Sequence, residues 1–153
     1  MNAYRHELTA RVLAQRVIGI VRTSDGKAAH TTAQTMIAAG LRSIEITLTH
    51  PEALTVITAL RARHPSVLLG AGTVIDGASA AEAVRAGASF LVCPGLVPQV
   101  IRTGHRHGVP VLAGTGSVTE ILSALEQGAD AVKVCPASGY SPGWIADVRA
   151  AVP

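Results

Sequence analysis

The stretch Gln127-Gly128-Ala129-Asp130-Ala131-Val132-Lys133-Val134-Cys135 closes one helical pattern and opens a short apolar strand that carries a single lysine. Glycine just past a helix takes the left-handed conformation without a Cβ clash. The same unit recurs upstream. Ala39-Gly40 precedes Arg42–Leu48, Ala86-Gly87-Ala88 precedes Ser89–Cys93, and Gly108 precedes Val109–Leu112. Two further strands are read at Arg16–Val21 and Val67–Ala71. Between them lie apolar sets at three- and four-residue spacing, which is the helical period. Ala33/Met36/Ile37, Ala53/Val56/Ile57/Leu60, Ala80/Ala83/Val84 and Val118/Ile121/Leu122/Leu125 are such sets, and a further helix is expected around Trp144. Strict strand–helix alternation predicts a parallel sheet with right-handed crossovers. The strands return every 20 to 26 residues, the pitch of a (β/α) TIM-barrel, whose eight units take about 250 residues. The fold expected is therefore α/β: one domain over residues 1–153, an incomplete TIM-barrel of about six βα units.

Composition narrows the function. The 153 residues are 48% hydrophobic, 15% charged and 3% aromatic, which excludes intrinsic disorder. The net charge of +3 comes from eleven arginines and two lysines scattered singly. With few aromatic side chains to stack on bases, no nucleic-acid partner is expected. Apolar runs are too short to cross a bilayer, and residues 1–16 hold no secretory h-region, so no membrane partner is expected. Cys93 and Cys135 read as small residues of a reduced, cytoplasmic protein. His50, His105 and His107 read as surface residues, and no metal site is expected.

Side-chain alternation selects the candidate site. Ile44, Ile46 and Leu48 share one face of their strand, Glu45 and Thr47 the other. Val132 and Val134 share one face of the lysine strand; Ala131, Lys133 and Cys135 share the other. The branched residues belong against the helices. Glu45 and Lys133 then point into the barrel near C-terminal strand ends, where such folds collect their chemistry. A lysine amine withdrawn from water deprotonates more readily and can form a Schiff base with a ketone. A carboxylate nearby can move protons through a water. A structural Lys–Glu ion pair, or a lysine reaching to the rim, accounts for the same pattern.

With these residues in view, the chain resembles the 2-keto-3-deoxy-6-phosphogluconate (KDPG) and 4-hydroxy-2-oxoglutarate aldolase family. The resemblance rests on Val17–Arg22, Ile44–Leu48, Gly70-Ala71-Gly72-Thr73-Val74, Phe90–Gly95 and Ala131–Ser138. It implies a class I, pyruvate-dependent aldolase that needs no cofactor and no metal, acting on a small-molecule 2-keto acid. Lys133 would form the imine and Glu45 would be the general acid/base. Arg22 and Thr73 would hold the pyruvate carboxylate, and Pro94 would line the pocket. The resemblance also implies a homo-oligomer, a trimer.

Other readings of the same residues stay open. Gly70 and Gly72 serve a tight turn or contact substrate; Thr73 could cap the next helix; Arg22 could be a solvated strand-end charge; Pro94 and Pro136 could only end strands. Ser138–Gly143 could cradle a phosphate or be a plain turn. Thr49 stands where the family usually has arginine, and Cys135 where it usually has phenylalanine. The seventh and eighth units expected of the family are not in the sequence. The chain is expected to leave strand edges open, and the alternative to an active lyase is a truncated, catalytically impaired aldolase-like protein.

Overall fold

The structure is a computed structural model that describes residues 4–152. Six parallel strands pair in strict chain order. They are β1 (Gly19–Val21), β2 (Ser43–Thr47), β3 (Leu68–Gly72), β4 (Phe90–Val92), β5 (Val111–Thr115) and β6 (Ala131–Val134). The helices are α1 (Arg5–Ala14), α2 (Gly26–Ala38), α3 (Ala53–Arg63), α4 (Gly77–Arg85), α5 (Pro98–Arg106), α6 (Val118–Glu126) and α7 (Pro142–Ala151). The sheet is an open, curled part of a barrel, with β1 and β6 as its edges. Among the described residues no helix is long and apolar enough to cross a membrane.

Two apolar shells follow from the period-2 alternation of the strands. The larger lies between sheet and helices and takes Ile44, Ile46, Leu69, Ala71, Leu91 and Val111 from the strands. The smaller fills the barrel interior, where Leu68, Phe90 and Val92 meet Val12 of α1. The sequence reading does not include α1. It closes the floor of the barrel, held at its start by Arg5, whose guanidinium donates to Asp130 at 2.7 Å just before β6.

Helix starts are fixed locally. The side chains of Asp25, Asp76, Ser117 and Ser141 accept the backbone N–H groups of Ala28, Ser79, Glu120 and Trp144. Such caps satisfy otherwise orphaned amides. The amide of Ser79 holds the Asp76 carboxyl below its ordinary range. The cap on α4 is therefore Asp76, not Thr73. At α7 the Ser141 hydroxyl takes the Trp144 amide at 3.1 Å as the helix N-cap.

Where the sheet ends, burial weakens. Ile20 on β1 is 47% exposed and every residue of β6 is only half-buried. Of the apolar set read at helical spacing in α6, Val118, Leu122 and Leu125 are also exposed, and Ile121 is buried.

Candidate active site

Glu45 on β2 and Lys133 on β6 both face the interior. Lys133 Nζ donates to Glu45 Oε1 at 3.5 Å, a loose ion pair between strands 88 residues apart. The Glu45 side chain is 3% exposed and that of Lys133 28%. A cleft of about 330 Å³ opens beneath them, lined mostly by apolar side chains such as Ile18, Ile20, Val92, Leu112 and Val132. Burial pushes the Glu45 carboxyl above its ordinary range, and the positive charges of Lys133 and Arg22 only partly offset this. A carboxyl held this way exchanges protons nearer neutrality than a free one.

Arg22, just beyond β1, and Thr73, just beyond β3, meet at the same end of the sheet. Arg22 Nη2 donates to Thr73 Oγ1 at 3.2 Å. Thr73 adopts φ 58°, a conformation costly for a β-branched residue. Thr73→Gly exchanges that strain, roughly 1 kcal/mol, for a comparable gain in unfolded-chain freedom. Its Tm is expected to stay nearly unchanged. A melting curve checks this.

Pro94 is placed differently. It is exposed, and its backbone lies over Gly114, which is opposite Lys133 in register. It lines a second, smaller cleft of about 190 Å³ with Cys135, Thr115 and Glu120. Glu120 Oε2 accepts from Gly116 N there at 2.5 Å, and the Tyr140 hydroxyl donates to the Gly116 carbonyl.

The glycines have a function that neither reading of them anticipated. Gly70 lies in β3, within the strand read at Val67–Ala71, and Gly72 extends that strand by one residue where the alternative reading had a turn. A Cβ at Gly72 would stand 2.5 Å from Glu45 Oε1, and one at Gly70 would enter the Phe90 ring. Gly72 thus supplies the space in which the Glu45 carboxylate sits. The signal was present: Gly70 and Gly72 fall two residues apart, on the face that meets Glu45 across the sheet.

The histidine reading needs correction. His50 is not a surface residue: it is 9% exposed, with Nδ1 3.4 Å from Glu52 Oε2, because the loop after β2 folds it inward. His105 is half-buried against Asp130 at 3.1 Å. Among the described residues no group of three or more His, Cys, Asp or Glu side chains is arranged to hold a metal. Cys93 is buried, and desolvation pushes its thiol up to about 12; Cys135 is half-buried, and both are free.

Comparison with known proteins identifies the family. Residues 8–150 match the family described as KDPG and KHG aldolase. A 2-dehydro-3-deoxy-phosphogluconate aldolase of Treponema pallidum is 42% identical over 122 residues, covering 80% of this chain and 58% of that protein. A 2-dehydro-3-deoxy-6-phosphogalactonate aldolase of Escherichia coli is 35% identical over 140 residues, covering 90% of this chain and 67% of that one. Among solved structures, KDPG aldolase from Legionella pneumophila, with pyruvate captured as a covalent carbinolamine, superposes with a TM-score of 0.84. It is 28% identical, with 95% of this chain and 71% of that chain covered. The chain spans little more than half the length of the Treponema relative. With residues 8–150 matched, this chain, a six-stranded parallel part-barrel, belongs to the KDPG and KHG aldolase family.

Proposed function

We propose that the protein is a class I aldolase which cleaves a 4-hydroxy-2-keto acid of the KDPG or 4-hydroxy-2-oxoglutarate type to pyruvate and an aldehyde. The observation that carries the reading is the Lys133 Nζ to Glu45 Oε1 approach of 3.5 Å inside the barrel. In this mechanism the Lys133 amine adds to the substrate's C2 carbonyl and water leaves, giving a protonated imine. Glu45, through a water, takes the proton of the C4 hydroxyl as the C3–C4 bond breaks. The bond's electron pair moves into the imine as an enamine and the aldehyde departs. Protonation of C3 and addition of water then release pyruvate and free the amine. Arg22 and Thr73, joined at 3.2 Å, are proposed to hold the carboxylate next to C2. Pro94, one strand pair away, is proposed to border the aldehyde side. Activity as a homo-oligomer, a trimer, belongs to the same proposal; a cage designed by fusing symmetric oligomeric domains aligns with a TM-score of 0.77.

Reduction with borohydride in the presence of pyruvate, followed by peptide mass spectrometry, tests the proposal. The expected result is a pyruvate-derived adduct on Lys133, absent in Lys133→Arg, with lyase turnover in that variant down by about four orders of magnitude. A folded wild-type chain that gives no adduct would sink it. Lyase activity surviving in Lys133→Arg would instead favour a different phosphate-binding barrel chemistry.

A further inference from the structure

A cleft away from Glu45 and Lys133 lies at the opposite end of the sheet, near the strand starts. It measures about 340 Å³ and is lined by α1, the end of α3 and the α4–β4 and α5–β5 connections. That volume matches a small-metabolite pocket. Its charged walls are Arg11 of α1 and Arg61 of α3, with His107 after α5, and none of its described lining residues is acidic. Arg11 has no ion-pair partner among the described residues. Ser89, 7% exposed, also lines it, and its hydroxyl makes no hydrogen bond within the described residues, whereas its amide is committed to Leu69 O at 2.6 Å.

Cations near helix ends often serve only to satisfy terminal carbonyls. Here most of that demand is met elsewhere. At the end of α4, Ala88 N and Gly87 N donate to Ala83 O and Val84 O, both at 3.0 Å. At the end of α5, Val109 N and Gly108 N donate to Gly104 O and His105 O at 2.8 and 3.0 Å. Gly87 and Gly108 make these closures possible with φ of 105° and 72°. Arg61 uses one guanidinium nitrogen on the carbonyls of Pro65 and Val67, at 3.2 and 3.5 Å, and keeps its other N–H groups available. Arg11 is not drawn into any of these bonds.

We infer that this cleft is a second binding site, distinct from the Lys133 end, for a small phosphorylated metabolite. Guanidinium forks from two different helices match the oxygens of a phosphate, and the Ser89 hydroxyl supplies a further donor. The remaining volume takes a short carbon skeleton against Leu8, Leu68, Val84 and Val109. Because Arg11 belongs to the floor helix and Arg61 to the helical layer, the ligand bridges the two and stabilises the docking of α1.

Calorimetric titration with inorganic phosphate and with glycerol 3-phosphate, at constant ionic strength, tests this. Saturable binding is expected for both, with an accompanying rise in Tm. Arg11→Ala removes an exposed, unpartnered side chain and is expected to weaken binding about tenfold or more. Arg61→Lys keeps the charge and the stem over Gly87 but loses the fork, and a smaller loss is expected. Arg149→Ala, on α7, leaves binding unchanged. The inference is overturned if neither probe binds below about 10 mM, or if Arg11→Ala binds as the wild type does, which would put the phosphate elsewhere. Pyruvate trapping on Lys133, measured on the same samples, reports on the proposed function separately.

Discussion

Glu45→Gln is expected to lower lyase turnover by about 10²–10⁴-fold and, in the same molecule, to raise the melting temperature at about pH 7. The two effects have one origin. Burial raises the folded-state value of the Glu45 carboxyl despite Lys133 and Arg22. An acid whose folded value is raised contributes stability that is fully present below its unfolded value, near pH 4.5, and is lost as pH rises through the folded value. Glutamine has no charge to bury, so the variant escapes that loss. The Tm difference between Glu45→Gln and wild type should therefore be positive at neutral pH and shrink toward zero as the pH falls below about 4.5. Lys133, left without its carboxylate, keeps contact with water through its 28% exposure. Melting curves across that pH range beside lyase assays check both halves; a variant less stable at neutral pH would mean that the ion pair outweighs desolvation.

Gly70→Ala is expected to cost stability steeply. A methyl group there would enter the ring of Phe90, which is fully buried and is the bulkiest buried side chain of the interior shell. Backbone of β3 lies on one side and Val12 of α1 closes the other, so the ring has nowhere to retreat. Overpacking of this kind costs about 3 kcal/mol. Chemical denaturation should show the loss directly. Gly70→Ala combined with Phe90→Leu should recover part of it, although Phe90→Leu alone is destabilising; the non-additivity is the signature of direct contact.

Much of this was legible in the sequence, and the exceptions have separate causes. The order of strands and helices followed from the repeat, and the inward direction of Glu45 and Lys133 followed from alternation. What alternation could not show is how the empty positions are used. Val109–Leu112 was read as the fifth strand because it is apolar; the strand is Val111–Thr115, and within it the missing Cβ of Gly114 leaves room for the backbone of Pro94. Gly70 was read within its strand, but neither the turn nor the substrate-contact reading of Gly70 and Gly72 showed whose bulk they admit. In a barrel interior, glycine is where another group's bulk goes. The helix α1 escaped notice because only Val12 among its residues is buried. The burial of His50 depends on a loop path that no local period encodes.

The ion pair between Arg5 and Asp130 joins positions 125 residues apart. Helix α1 is therefore made first along the chain but can be clasped only after the segment leading into β6 is in place. Closing so long a loop is entropically slow. The floor helix should be a late arrival in folding and an early departure in partial unfolding, with amides that exchange with solvent while β2 and β3 still hold theirs.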